Sequence, residues 1–541
     1  MEKFLVIAYD IGTTSVKTCL FNISGEVMLV VSSGAIYPIK VLDNGGVEQD
    51  ASDWWAAMCE TTKDMISAAA INPSEVAGIS FCSQMQSLVL MDKAGQPVRP
   101  AMSYMDQRAG EQLAVGMKRG LQIAGANIFR LLRALSVTRA APLSVKDPVW
   151  KYLWVKQNEP EAFARVYKWL DVKEALICRC TGNFVMTRDS AYATLLYDTR
   201  RGRERFSREM CRMLGVNEAH LPHVINSTDK AGELTAKAAA ELGLVEGTPV
   251  FGGGGDASLI GVGAGATAPG ETHVYIGTSG WVSTVVEKQL VDTSSMIASI
   301  IGAGRHFHYF AEMETAGKCL EWVRDHLALD EIGIYLKNSP TAESPEEISH
   351  SLYDYMMSSI SGVPPGSRKV LFAPWLHGNR CPFEDPMVRG VFFNIGIETG
   401  KRDMIRAVLE GVCFHIRWML EAQSRKVPPH DTIRFVGGGA LSPTTCQILA
   451  DITGRTVETV AEPQNAGAVG AAIVAAVGLG ALPSVESAGE MIPASARYTP
   501  NVSFRDVYDR AFKVFKMLYR NNKKLFALLN AKDRDRDNFP K

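Results

Sequence analysis

The chain has 541 residues, too many for one hydrophobic core, so two or more domains are expected. Its composition, 46% hydrophobic and 21% charged, is ordinary for a globular protein in water, and a formal net charge of −1 gives no global field to attract nucleic acid or an anionic membrane. Ten cysteines lie scattered, with only Cys178 and Cys180 close together; this pattern lacks a zinc spacing and fits a reduced, cytoplasmic protein without disulfides.

In chain order, no basic leader precedes Asp10, so no signal peptide is expected. "FLVIAYD" and "VKTCLF" read as two strands of a hairpin joined by the turn "IGTTS". "ASDWWAAMCETTKDMISAAA" has the periodicity of an amphipathic helix that packs Trp54 and Trp55, and "VAGISFCSQ" and "SLVLMD" read as further strands. After "VFGGGGDASLIGVGAGA", the stretch "ETHVYIGTSGWVSTVVE" repeats the opening hairpin, with Ile276 matching Ile11 and Tyr275 matching Asp10. His306 and His308 alternate along an expected strand, and two histidines without a third ligand do not suggest a metal site.

"MIRAVLEGVCFHIRWMLEAQ" reads as a helix with His415 on its apolar side, as a core histidine. Behind the strand "IRFVGGGA", Ser442 suits an N-cap, Pro443 the first helical position and Gly454 the C-terminal stop of another helix. The 17 uncharged residues Ala466 to Leu482 fall short of the ~20 that span a bilayer and read as a buried helix packed closely on other backbone. A last helix is expected from about Ser503, with Phe504, Tyr508, Phe512 and Phe515 on one stripe, before a frayed tail, "KDRDRDNFPK". The Gly/Ala/Pro-rich "GVGAGATAPGE" marks the join of two similar halves. The expectation is an α/β protein built by duplication, divided into residues 1–262, 263–482 and a C-terminal extension, 483–541.

Backbone amides in tight Gly/Thr/Ser turns converge on anions, and two matching turns fit two hairpins gripping one polyphosphate. A carboxylate at such a turn repels phosphate unless a cation lies between, so Asp10 points to hydrated Mg²⁺. Lys17 reads equally as a phosphate neighbour or a solvated strand lysine. Asp256, cornered behind four glycines, could approach a hydroxyl closely enough to act as general base. Neither "GIETGKR" nor "AGKCL" has the Walker A spacing, and "GVGAGA" lacks the strand and helix of a dinucleotide fingerprint.

Taken together, "YDIGTTSVK", "GGGGDA", "YIGTSG", "KYLWVKQNEPEAF", "RGVFFNIGIETGKRDMIRAVLEG", "VGGGALSPTTCQILADITGR" and "NAGAVGAAIVAA" resemble the FGGY family of carbohydrate kinases over residues 4 to 480, and within it the xylulokinases. The resemblance implies an actin-like/ribonuclease H-like ATPase fold of two duplicated domains with a cleft between them. It implies ATP and Mg²⁺ as cofactors, a small-molecule sugar as acceptor, no nucleic acid or membrane partner, and a homodimer as a candidate assembly. Asp256 is then the catalytic base and Asp10 the metal residue. The nucleotide lies against Gly12, Thr13, Thr14, Lys17, Gly277, Thr278, Gly317, Gly438 and Gly439, and the sugar against Gln84, Met85, Gln86, Asp106 and Arg108. The implied activity is phosphorylation of a ketose's primary hydroxyl, D-xylulose foremost, with ribulose, a hexulose or erythritol as alternatives. An ATP-switched actin-like or chaperone scaffold is the rival class, marked by ATP turnover without sugar. Four positions depart from the family pattern: Gln86 replaces a histidine, Ala257 an Asn or Gln, Asn394 a glycine and Lys146 a small or aromatic residue.

Overall fold

The computed structural model describes residues 4–123, 125–327 and 356–531. The opening hairpin forms as its two short apolar runs predict: β1 (Phe4–Ile11) and β2 (Ser15–Ile23) pair antiparallel, and β3 (Val27–Ile36) continues the meander. Helix α1 (Ala51–Ala69), capped by Asp50 accepting from the Ser52 amide, buries Trp54, Trp55, Met58 and Met65 on that sheet. Strand β4 (Val76–Ser83) then runs parallel to β1, and Val89–Met91 forms a short strand where "SLVLMD" stands. Helices α2 (Pro148–Asn158) and α3 (Val172–Thr181) precede β5 (Lys230–Glu233), β6 (Pro249–Phe251) and β7 (Gly254–Gly255). The first sheet has the order β5–β6–β4–β1–β2–β3, with β7 also paired to β4.

Helix α4 (Asp256–Gly263) leads into the second half, where Gly265 and Gly270 take positive φ in the connection. Its sheet comprises β8 (Thr272–Ile276), β9 (Gly280–Val286), β10 (Val291–Asp292), β11 (Ile297–Ile301) and β12 (Phe307–Met313). Helices α5 (Gly317–His326) and α6 (Lys401–Gln423) follow, then β13 (Thr432–Val436), α7 (Pro443–Thr453) and β14 (Thr456–Thr459). Last come α8 (Ala466–Gly478), β15 (Ala496–Tyr498) and α9 (Arg505–Asn530). The sheet order is β10–β11–β12–β9–β8–β13–β14–β15.

The duplication is visible in strand sense. From β3 to β5 in the first sheet, successive pairs are antiparallel, antiparallel, parallel, parallel and antiparallel. From β12 to β15 the second sheet repeats that series. Each half therefore sends a first hairpin and a parallel neighbour to the same end of its sheet.

Helices α4 and α8 pack together between the two sheets, sharing one core with Val6, Ala8 and Cys19 of the first and Trp281 and Val436 of the second. A side chain at Gly263 would lie under 3.0 Å from the Ala466 carbonyl, and one at Gly470 would crowd Leu259 equally. The Ala/Gly composition of α8 thus lets two backbones touch, which accounts for the uncharged run without a bilayer. Among the described residues, no helix is long and apolar enough to cross a membrane.

The expected caps of α7 are in place: Ser442 accepts from the Thr445 amide and Gly454 closes the helix with φ 68°. Helix α9 starts at Arg505, after a short turn Val502–Phe504, and buries Tyr508, Phe512 and Phe515 in the second core, against Phe414 of α6. The strand read in "IRFVGGGA" stops at Val436, where Gly437 turns at φ 90° into a 3-10 turn. His306 lies just outside β12; His308 lies within it, buried, with its imidazole driven down to about 4 by burial. Asn394 holds φ 68°, a left-handed conformation that Asn tolerates better than other side-chain-bearing residues. The charged tail, residues 532–541, lies outside the described residues.

Candidate active site

Each of the two turns is closed by a short-range bond from its first glycine, over a three-residue span in one and a two-residue span in the other. In the β1–β2 turn the Gly12 amide donates to the Ser15 carbonyl at 2.9 Å, and in the β8–β9 turn the Gly277 amide donates to Ser279 at 3.0 Å. The carbonyls are then anchored from behind. Tyr37 donates its hydroxyl to the Gly12 and Ser15 carbonyls at 2.6 and 2.9 Å, and Gln49 Nε2 to the Thr13 carbonyl at 2.8 Å. On the second turn, the Gly317 amide donates to the Gly277 carbonyl at 2.8 Å, and the amides of Ala316 and Lys318 to Thr278 at 3.1 Å. Among the described residues no acceptor takes the amides of Thr13, Thr14 or Thr278, so both turns present free donors, as an anion requires.

Several glycines are where they are because backbone meets backbone. A Cβ on Gly317 would fall under 3.0 Å from the Gly277 carbonyl, and one on Gly437 or Gly439 under 3.0 Å from Ile276. Gly438 faces open space and is exposed. Gly277, Thr278 and Gly317 are thus in direct contact, while Gly437 and Gly439 pack on Ile276 at the end of β8 and Gly438 is exposed beside them.

Asp10 closes the end of β1, paired across the hairpin with Lys17 and flanked by Cys82 of β4. It is half-buried; burial raises its carboxyl, while the Lys17 charge and the Cys82 thiol oppose the rise. A Cβ on Gly467 would sit 2.7 Å from its Oδ2. Lys17 does not point freely at the turn: its Nζ donates to the Gln464 carbonyl, 3.3 Å away on the second unit.

Asp256 lies on the other side of β4. Gly254 and Asp10 both pair with Cys82, from opposite edges, about 10 Å apart at twice the strand spacing. The polyglycine corner is sterically required. A Cβ on Gly253, which has φ 65°, would strike Phe81, and one on Gly255 would strike Met85. Behind it, Asp189 Oδ2 accepts from the Gly255 amide at 2.7 Å. Burial alone would raise the Asp189 carboxyl, but the Lys173 ammonium and its hydrogen bonds hold it below the ordinary value. Asp256 itself is half-buried at the first turn of α4. Burial pushes its carboxyl up to about 7; the Ala257 amide at 2.8 Å opposes this, and Asp10 and Glu312 add to it.

The wall expected to face the acceptor adjoins the same corner, where Met85 meets Gly255. Gln84 donates from Nε2 to Gln49 Oε1 at 3.0 Å, and its buried Oε1 has no partner. Gln86 adopts φ 62°, gripped at both ends: its amide donates to Asp171 Oδ2 at 2.8 Å and its carbonyl accepts from Lys151 Nζ at 2.7 Å. Lys151 is fully buried, also donates to the Ser103 carbonyl at 2.8 Å, and is brought down to about 8 by burial. It thereby stitches residues 84–87 to residues 103–108.

Asp106 and Arg108 are engaged with each other and with the Val47–Glu48 segment. Asp106 Oδ2 accepts from the Val47 amide at 2.9 Å and from Arg108 Nη2 at 2.7 Å; Arg108 also reaches Glu48 Oε1 at 2.7 Å and lies over Trp154. Their polar groups brace the wall. One residue of that stretch, Tyr104, reaches the first turn and is absent from the sequence-based candidates. Its hydroxyl lies 3.4 Å from Thr13 Oγ1, and the charges of Asp256, Glu312 and Glu314 act on it. No local spacing marks a tyrosine for this role. The same holds for the charges opposite, where Arg380 Nη1 is 2.6 Å from Glu312 and Lys146 Nζ 3.3 Å from Glu314.

Two units, each offering an amide-lined turn, face an acid whose carboxyl is tuned toward neutrality: this arrangement can hold a polyphosphate and deprotonate an alcohol. Comparison with known proteins agrees. The models of the FGGY family of carbohydrate kinases match residues 5–263 (N-terminal domain) and 273–479 (C-terminal domain). The chain is 28% identical to a xylulose kinase of Bacillus subtilis over 529 residues, 97% of this chain and 99% of that one. It is also 28% identical to a gluconokinase of the same organism over 517 residues, 95% of each. The fold superposes on a ligand-bound xylulose kinase from Lactobacillus acidophilus with a TM-score of 0.82 at 24% identity, covering 97% and 99% of the two chains. A gluconate kinase from the same organism gives 0.81 at 24% identity, covering 96% and 98%. The chain belongs to the FGGY family of carbohydrate kinases and is an ATP-dependent sugar kinase of the actin-like/ribonuclease H-like fold.

Proposed function

We propose that this kinase phosphorylates the primary hydroxyl of a neutral ketose, D-xylulose first, with Asp256 as general base. The observation that carries the choice of a neutral acceptor is that the cations around the acceptor wall are already committed. Lys146 faces Glu314, Arg380 faces Glu312, Arg108 faces Asp106 and Glu48, and Lys151 holds two carbonyls. Among the described residues, an aldonate such as gluconate would bring a carboxylate that must compete with the carboxylates and carbonyls already engaging these cations, a costly desolvation.

Asp256, near neutrality, accepts the hydroxyl proton as the oxygen attacks the γ-phosphorus, and the amides of Thr13, Thr14 and Thr278 hold the phosphates. Transfer of this kind rests on positioning and charge stabilisation. Asp10 fits a divalent cation: it is a carboxylate without an ion pair in contact, placed beside an anion turn and kept clear by Gly467. It would hold hydrated Mg²⁺, which when bound neutralises phosphate charge. Gln84, Met85 and Gln86 line the acceptor side, Asp106 and Arg108 support it, and Gly438 and Gly439 border the nucleoside. In this reading residues 1–262 carry the sugar side and 263–482 the nucleotide side, with 483–541 joined to the latter. Ten free cysteines support a cytoplasmic, reducing setting.

The test is a panel of D-xylulose, ribulose, a hexulose, erythritol, glycerol and gluconate, with ADP release as the readout. D-xylulose is expected to give the highest kcat/KM. Gluconate exceeding every neutral acceptor would overturn the assignment.

A further inference from the structure

One departure from the family pattern, Lys146, sits where the two units meet. On the acceptor side it directly precedes Asp147, the N-cap position of α2, and the same helix carries Lys151, which holds the Gln86 and Ser103 carbonyls. On the nucleotide side, Glu314 directly follows β12 and stands three residues before Gly317, where the start of α5 fastens the carbonyls of the second phosphate turn. Lys146 Nζ lies 3.3 and 3.4 Å from the two Glu314 oxygens, and each side chain is about a fifth exposed, at 20% and 21%. Arg380 continues the series, with Nη1 2.6 Å from Glu312 and Nε 3.9 Å from Glu314. Positive and negative groups thus alternate in a network with no net charge. Neighbouring ion pairs stay within one unit: Arg108 with Asp106 and Glu48 in the first, Arg380 with Glu312 in the second. Lys146–Glu314 crosses between them, two short rigid connections from the acceptor wall at one end and the phosphate turn at the other.

We infer that Lys146 and Glu314 form a latch that holds the acceptor wall against the nucleotide turns, which makes Lys146 a positioning residue for transfer. The inference rests on the kinase reading. A part-exposed ion pair is weak enough to open for substrate exchange yet biases the closed arrangement, and closure keeps water from replacing the sugar as phosphoryl acceptor. Among the described residues Lys146 bonds to neither phosphate turn nor to Asp256, so its loss leaves those groups in place and loosens their alignment.

The experiment uses the full chain with Lys146→Met, Glu314→Gln and the double variant. Each single change is expected to raise the acceptor KM about three- to tenfold, leave kcat within about twofold, and increase the share of ADP formed without sugar. The double variant should be no worse than the worse single one, because the second change removes a partner already lost. Fully multiplied effects, or an unchanged acceptor KM, would overturn the latch. Small-angle scattering with a non-hydrolysable ATP analogue gives a readout apart from turnover: each single variant should show a larger radius of gyration than the parent. Equal radii overturn the latch whichever sugar is used, whereas a parent enzyme that phosphorylates no sugar overturns the kinase reading alone.

Discussion

With its carboxyl near pH 7, Asp256 is about one-tenth ionised at pH 6 and about nine-tenths at pH 8, so the acceptor kcat/KM should rise about tenfold across that interval. An ordinary aspartate, ionising near pH 3.8, would give a flat line there. Burial is the largest cause of the shift, and Glu312 contributes a repulsive charge. Glu312→Gln removes that charge and frees Arg380, so the acid limb should move to lower pH. Asp256→Asn should cut kcat by roughly 10²–10⁴-fold and abolish the limb. The sign for stability is the reverse. The folded carboxyl holds its proton more tightly than the unfolded one, so its contribution to stability is full below about pH 3.8 and is lost as pH rises to about 7; at pH 8 that contribution is gone, and Asp256→Asn should unfold at a higher temperature there. The assay is coupled ADP release from pH 5.5 to 9 at saturating Mg-ATP with the sugar varied, alongside thermal unfolding. A flat profile between pH 6 and 8, or near-parental turnover by Asp256→Asn, would refute the general-base assignment.

Two glycines give further tests. Gly317→Ala adds a methyl under 3.0 Å from the Gly277 carbonyl, so the second phosphate turn must shift; the ATP KM should rise on the order of tenfold while the sugar KM changes little, as steady-state kinetics would show. Gly470→Ala improves helix propensity by about 1 kcal/mol, yet the methyl meets the Leu259 backbone in the α4–α8 contact. Overpacking should win, with a net loss of about 1–3 kcal/mol in urea unfolding; a stabilised variant would show that the helices are not in backbone contact.

The sequence by itself determined what is local. Short β-branched and aromatic apolar runs in "FLVIAYD" and "ETHVYIGTSGWVSTVV" specify buried strands, glycine and threonine between them specify tight amide-presenting turns, and Ser442, Pro443 and Gly454 delimit a helix through contacts within a few residues. The repeated hairpin also revealed the duplication, because copied strands keep their pattern even when Asp10 is answered by Tyr275. Tertiary structure decided what depends on distant partners. It turned Asp106 and Arg108 inward, since Val47 and Glu48 reach them from another strand, and engaged Lys17 with Gln464 from the far unit. It brought Tyr104 to Thr13 and Lys146 to Glu314. Nor could spacing reveal that Asp256 titrates near neutrality, because that follows from burial and from the charges of Asp10 and Glu312, which only chain folding assembles around it. Short-range rules fix backbone conformation; solvent exclusion and long-range charge belong to the packed whole.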